Sequence, residues 1–428
     1  MLRPYQKEAV SAAMSRNGII VMPTGSGKSH VIAGLVENFH RALVLQPSRE
    51  ILESNYDKIK DIRSDIAIFS ASLKQKQISS ITYATIGSII KKLDLFDIDA
   101  LIIDECHLVN AAGGQYEKLI SALSPKKLIG LTATPYRLHS TSGLSSIRLL
   151  NRTRPKIFKD VIHVTQCSDL INQGFLLEPK FIVSDSSREN LLQINSTGAE
   201  YTDDSISFYL SQIDIKQRIM DAVASTDAQH ILIFLPTIKE CNDIARVLPN
   251  AASVSSLSSS KERSEILRDF KSGAIRIVLN VGVLTTGFDF PALDCVILAR
   301  PTMSCGLYSQ MVGRCVRPCS NKNTPRVYDL VNNYARFGNP LRNQIVPGST
   351  GLYNIISEFG RINGDVSDIP EKDTVMDFGK YSGFRLCELP NSYLEWFVTN
   401  NKKSSTWHMF DAELSRRKFF PAQNVFSG

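Results

Sequence analysis

The apolar positions of this chain fall into short runs separated by stretches with helical spacing. In the first third these runs are Gly18 to Met22, Ala42 to Gln46, Ile66 to Ser70, Ile81 to Thr85, Ala100 to Ile103 and Lys127 to Leu131. A run without polar alternation suits a strand buried on both faces, and strands alternating with helices predict a parallel sheet covered on both sides. A second series begins near Lys216, with His230 to Leu235, Ala274 to Leu279, Cys295 to Ala299 and Arg326 to Val331. It predicts a second unit of the same class. The expected fold class is therefore α/β, with two parallel-sheet domains in tandem and a small C-terminal module. The boundaries expected are a first domain over 1–180, a linker over 181–212 where Ser, Asn, Asp and Thr accumulate, a second domain over 213–340, and an accessory module over 341–428.

The loop after the first run reads Pro23-Thr24-Gly25-Ser26-Gly27-Lys28-Ser29 and leads into a helix-like segment. In the order strand, loop, helix, Gly25 and Gly27 let backbone N–H groups turn inward around a polyphosphate. Lys28 supplies a positive charge to the outer phosphates and Ser29 a hydroxyl to Mg²⁺, with Thr24 and Ser26 completing the loop. The position six before Lys28 is Met22, where the usual pattern has glycine. The implied ligand is ATP or another nucleoside triphosphate. Its second half should be a carboxylate at the end of another buried strand, and Ala100 to Ile103 ends in Asp104-Glu105-Cys106-His107. Asp104 can hold Mg²⁺ and Glu105 can orient the attacking water. The second unit lacks a phosphate loop, so it can only complete a site built by the first. Arg314 and Arg317 are three apart and would share one face of a helix, aimed at a common anion.

These residues, taken in order, resemble the motifs of superfamily 2 helicases and translocases. Leu2 to Gln6 resembles the adenine-reading motif, with Arg3 and Gln6 at the base; Gln46 to Glu50 resembles motif Ia, and Tyr83 to Ser88 the next strand-contacting motif. Thr132-Ala133-Thr134-Pro135 resembles motif III, Ile233 to Thr237 motif IV, Asn280 to Asp289 motif V, and Gln310 to Arg317 motif VI. The resemblance implies two RecA-like domains and arginine fingers at Arg314 and Arg317. It places Gln310 near the γ-phosphate, Asp289 near the ribose, and Thr132 and Thr134 where hydrolysis is coupled to domain movement. Nucleic-acid phosphates would be met by Pro47, Ser48, Arg49, Thr85, Gly87, Thr285 and Thr286. Within the superfamily, RPYQ, DECH, LTATP and VLTTGFD are most similar to RadD-type proteins and next to phage branch-migration helicases of the UvsW type. The resemblance stops near residue 340. Beyond it, Met376 to Phe384 resembles a short FGKY-type module whose Tyr381, Phe384 and Trp396 either stack on bases or form its core.

Composition constrains the partners. The chain has 428 residues, 43% hydrophobic, with a formal net charge of +7, which suits a polyanion. No run approaches a membrane span, and the charged start MLRPYQKEAV is unlike a signal peptide, so a cytoplasmic protein of a bacterium or phage-infected cell is expected. The eight cysteines are scattered, and CVRPC at 315–319 lacks a second pair, so no structural zinc is expected. Between the units, Arg137, His139, Arg148, Arg152, Arg154, Lys156 and Lys159 precede the first acid, Asp160. This basic insertion, about 137–160, is expected to be a flexible loop, either gripping or splitting nucleic acid (Arg152, Arg154, Lys156) or simply solvated. The expected protein is an ATP- and Mg²⁺-dependent DNA helicase or translocase acting on forked or branched DNA in replication, recombination or repair, with single-strand-binding or recombination proteins as partners. An RNA helicase and an ATP-switched DNA clamp are the alternatives.

Overall fold

The structure, a computed structural model, describes residues 2–347 except 111–113, 142–143, 153–155, 185–187, 197–199, 286 and 321, then 353–358, 360–361 and parts of 376–414. In the first lobe the chain forms β1 (Gly18–Val21), β2 (Ala42–Leu45), β3 (Ile66–Ser70), β4 (Gln75–Lys76), β5 (Ile81–Ala84), β6 (Ala100–Ile103), β7 (Lys127–Thr132), β8 (Tyr136–Thr141), β9 (Leu144–Leu149) and β10 (Val161–Val164). Eight of these make one sheet in the order β10-β1-β7-β6-β2-β5-β3-β4, parallel except where β4 folds back on β3. Strands β1, β2, β5 and β6 are buried at every position, as expected of a sheet covered on both faces. Strand order reverses around β1: β2 lies three places to one side, while β10 pairs on the other. The carboxyl end of β1 therefore opens into a crevice, the place where α/β sheets bind ligands.

The second lobe contains β11 (Lys180–Val183), β12 (Ile231–Phe234), β13 (Ala251–Val254), β14 (Ile277–Asn280), β15 (Cys295–Leu298) and β16 (Arg326–Asp329). They form a fully parallel sheet, β11-β16-β15-β12-β14-β13. Its helices are strongly marked in sequence. Ser260–Ser272, for example, begins with a capping box between Ser259 and Glu262.

Three boundary expectations are corrected. The 181–212 segment is not a linker: β11 pairs with β16, and helix Asp203–Gln212, capped by Thr202, buries Ile206, Tyr209 and Leu210 in the second core. Its apolar residues are few and spaced for one helix face, so the surrounding polar residues mask them. Where a flexible loop is expected in the basic insertion, β8 and β9 form an antiparallel hairpin of six-residue strands with Arg137 opposite Arg148. The segment after 341 does not start a separate module at once. Strands β17 (Gln344–Pro347), β18 (Tyr353–Ser357) and β19 (Gly360–Arg361) form a small antiparallel sheet, and Gln166 Nε2 donates to the Ile345 carbonyl at 2.8 Å. Beyond it, helix Asn391–Asn400 packs a separate cluster of Met376, Leu386, Leu389, Leu394, Phe397 and Phe410. Tyr381 packs against this cluster, while Phe384 and Trp396 remain about half exposed. Among the described residues no helix is long and apolar enough to cross a membrane.

Packing is close where β7 passes under the acidic strand end. A Cβ added at Gly130 would lie 2.7 Å from Cys106 Sγ and 2.8 Å from the Phe158 ring. Gly130→Val is therefore expected to cost about 1–3 kcal/mol by overpacking. Urea unfolding checks this as a lower midpoint, and an unchanged midpoint would contradict the packing described.

Candidate nucleotide site at the interlobe cleft

The loop after β1 is fixed by its own turn and by the first helix, Pro4–Ser15. Gly27 adopts φ +85° as it caps helix Lys28–Val36, a left-handed conformation that glycine takes without strain. Ser26 Oγ donates to the Pro23 carbonyl at 2.7 Å. From the first helix, Tyr5 Oη and Gln6 Nε2 both donate to the Ser26 carbonyl, at 2.8 and 3.0 Å, while Gln6 Oε1 accepts from the Arg3 backbone at 2.9 Å. The RPYQ segment thus reads the loop's backbone and pins its curvature. Arg3 lies 4.4 Å over the ring of Phe175, and both border the cleft.

The carboxylates come from the end of β6, where Asp104 N donates to the Leu45 carbonyl at 3.0 Å. Asp104 is 6% exposed, and burial together with the adjacent Glu105 pushes its carboxyl well above the usual range. Glu105 sits at φ +46°, an uncommon conformation for a residue with a side chain. Burial works against its charge too, but Lys28, His107 and Arg314 outweigh burial and hold it low. Lys28 Nζ is 3.5 Å from Glu105 Oε1, and His107 Nδ1 is 3.2 Å from Glu105 Oε2. The same His107 nitrogen is 2.9 Å from Thr132 Oγ1, which accepts from Thr134 N at 3.0 Å, and His107 Nε2 lies 3.4 Å from Gln310 Nε2. One histidine therefore joins the acid, the motif-III threonines and the second lobe.

The second lobe closes the cleft with Arg314 and Arg317. They do not share a helix face as expected: helix Cys305–Val312 ends before them, and both lie in the turn beyond it. The turn is set by contact, since a Cβ at Gly313 would sit 2.7 Å from Thr24 Cβ of the phosphate loop. Arg314 is 6% exposed and donates to the Thr285 and Phe288 carbonyls at 2.6 and 2.8 Å. Arg317 pairs with Asp289. Burial pushes both guanidiniums down to about 10. The cleft has a volume of about 520 Å³, and the charged side chains around it are Arg3, Lys28, Lys58, Arg314 and Arg317 against Asp104, Glu105 and Asp289. Even apart from Lys58, which is held on Ser29, four cations face three carboxylates, so an entering anion finds compensation. Ser29 and Asp104 supply a hydroxyl and a carboxylate beside the phosphate loop. That oxygen set suits Mg²⁺, which takes few protein ligands and keeps waters and phosphates around it. Among the described residues no cluster of three or more His, Cys, Asp or Glu side chains gathers to hold a metal alone.

The expected nucleotide residues Arg3, Gln6, Thr24 to Ser29, Asp104, Glu105, Asp289, Arg314 and Arg317 all line this one cleft, while Gln310 and Thr134 border an adjoining interlobe hollow with His107. The expected nucleic-acid residues are less uniform. Ser48 caps helix Arg49–Asp57, Arg49 pairs with Glu53, and Thr85 Oγ1 is 2.8 Å from Ser88 Oγ. Pro47 is half-buried, and Gly87 has open space where a Cβ would be. Thr285 is turned inward, 7% exposed, its hydroxyl donating to the Gly282 carbonyl. It is therefore held away from solvent, because the turn that carries it also seats Arg314. Thr286, Arg154 and the side chain of Arg152 lie outside what is described, and Lys156 is exposed. Sequence reasoning missed Phe175, Asn55 and Lys58 as cleft residues. Asn55 and Lys58 carry only an i, i+3 spacing as a signal, and Phe175 reaches the cleft from the segment after helix Cys167–Asn172, which follows edge strand β10.

Residues 1–137 match a family described as the res subunit of type III restriction enzymes, and residues 214–319 match the helicase conserved C-terminal domain. IRC3 of Saccharomyces cerevisiae, described as a candidate ATP-dependent helicase, is 24% identical over 374 residues, 77% of this chain and 51% of that protein. The DNA 3'-5' translocase XPB2 of Sulfurisphaera tokodaii is 33% identical over 141 residues, 32% of this chain and 31% of its own. The ATP-dependent RNA helicase DBP3 of Lodderomyces elongisporus is 24% identical over 327 residues, 69% and 55% respectively. Among solved structures, a fragment assigned to the HsdR subunit of a type I restriction enzyme from Vibrio vulnificus has a TM-score of 0.59 at 21% identity, covering 79% of this chain and 66% of that one. The chain spans about half the length of IRC3 and DBP3. A phosphate loop and acidic strand end in one lobe, completed by arginines from a second lobe without a loop, make a tandem-lobe nucleotide site. The two lobes have RecA-like folds, and these matches make the chain similar to ATP-dependent helicases across both of them.

Two outcomes test the geometry. Glu105→Gln is expected to bind ATP while turnover falls at least about a hundredfold, the scale of a lost general base; equilibrium nucleotide binding and phosphate release measure the two separately. Phe175→Ala is expected to raise the KM for ATP severalfold with little change in kcat, because the ring borders the cleft away from the carboxylates.

Proposed function

We propose that this protein is an ATP-dependent DNA helicase or translocase acting on forked and branched DNA, of the kind that RadD-type and UvsW-type proteins represent. The carrying observation is that one cleft is built from both lobes. Arg314 and Arg317 reach it from the second sheet, and Gln310 meets His107 across the gap. ATP is read at its outer phosphates by Lys28 and the loop N–H groups, with Ser29 and Asp104 as the residues that would hold Mg²⁺. When bound, the ion would supply charge neutralisation to the phosphates. Glu105, held ionised by Lys28 and His107, is placed to accept a proton from the attacking water. Arg314 and Arg317 stabilise charge that develops as the terminal phosphate leaves. Once that charge departs, the two lobes lose an anion shared between their cations, and their preferred separation changes. Nucleic acid held by both lobes is thereby moved along its backbone.

Two features support DNA with branched arms. One relative is a DNA translocase, and the insertion after motif III is a hairpin followed by the basic stretch that includes Lys156. Such a hairpin, rooted beside Thr134, suits a strand-separating element. The relative described as an RNA helicase keeps RNA as the second reading. Strand displacement on matched fork, four-way junction, blunt duplex and RNA duplex decides between them. Forks and junctions are expected to be unwound several times faster than blunt duplex. Faster displacement of RNA would favour the second reading, and ATP hydrolysis without displacement of any strand would favour a clamp.

A further inference from the structure

Helix Arg49–Asp57 ends on the two groups assigned to Mg²⁺. Asn55 Nδ2 donates to Asp104 Oδ2 at 3.4 Å, and Lys58, the residue that closes the helix, donates from Nζ to Ser29 Oγ at 2.7 Å. Asn55 and Lys58 are three apart, so one helix end serves both acceptors. Lys58 lies within the cleft wall beside Ser29, Asp104 and Arg317. No described carboxylate forms an ion pair with Lys58. Its position is explained instead by Ser29 and by the field of Asp104.

An ammonium and a hard divalent cation compete for the same kind of ligand. Both bind oxygen lone pairs, and both are stabilised by the same nearby carboxylate. At 2.7 Å the Lys58 ammonium uses a lone pair of Ser29 Oγ, the oxygen a cation would also need. We propose that Lys58 is a resident cation of the metal-free cleft, standing in for Mg²⁺ at Ser29 within the field of Asp104, and that MgATP must displace it to bind. Asn55 holds Asp104 in place while this exchange occurs. Lys58 is thus a positioning residue that sets how much Mg²⁺ the protein needs; the proposal rests on the reading of this cleft as an MgATP site. A state that a ligand must displace lowers the ligand's apparent affinity by the stability of that state.

The test is a Mg²⁺ titration of binding of a fluorescent ATP analogue to the full chain, in the wild type, Lys58→Met and Lys58→Gln, with a parallel titration of the analogue in EDTA. Removing the ammonium is expected to lower the half-saturating Mg²⁺ concentration by about tenfold, with analogue affinity in EDTA unchanged within about twofold. Lys58→Gln keeps a donor of similar reach and carries the same expectation should Lys58→Met fail to fold, while Lys58→Arg, which keeps the charge, should retain the wild-type requirement. An unchanged Mg²⁺ requirement in a folded, uncharged variant would overturn the proposal. So would a large loss of affinity in EDTA, which would make Lys58 a phosphate ligand. Failure of the wild type to bind the analogue at saturating Mg²⁺ would instead remove the site reading itself.

Discussion

The constraint on which this molecule depends is the burial of unlike charges contributed by two separately folded sheets. Taking a charge out of water is costly, so each buried group here persists only beside a partner. Asp104 is pushed toward its neutral form, while Arg314, Arg317 and Lys58 are pushed toward theirs, all chiefly by burial. The compensation is crossed between elements: Lys28 faces Glu105, Asp289 holds Arg317, and two backbone carbonyls hold Arg314. None of these arrangements is complete within one motif. The gap between lobes is therefore a place where a polyanion changes the balance of forces more than any apolar contact could.

Much of this was legible in the chain because the chemistry is local. The phosphate loop and the DECH string each combine a buried strand with the polar residues that follow it, and both lie where the strand ends. What the sequence concealed was of two kinds. Residues that act from a distance, such as Phe175 and Lys58, belong to segments whose approach to the cleft is set by topology. Elements with sparse apolar residues were also hidden: Asp203–Gln212 is embedded in polar sequence, and β11 is only half-buried at an edge. The motif-VI arginines illustrate a third lesson. Their spacing fits a helix, yet the chain leaves the helix at Gly313, where the phosphate loop leaves no room for a side chain.

The position of the first-lobe hairpin has a mechanical side. Thr132 contacts His107 and Thr134 donates its backbone N–H to Thr132; Tyr136, two residues later, begins β8. Arg137 at the base also donates to the His107 carbonyl. The root of the hairpin is thus tied to the same histidine that touches Glu105. Six residues of antiparallel strand extend about 20 Å. A pivot of about 10° at that root would sweep the far end through about 3.5 Å, close to the rise of one nucleotide along a DNA strand. At that length, an angular change too small to disturb the core would become a displacement on the scale of a single base step.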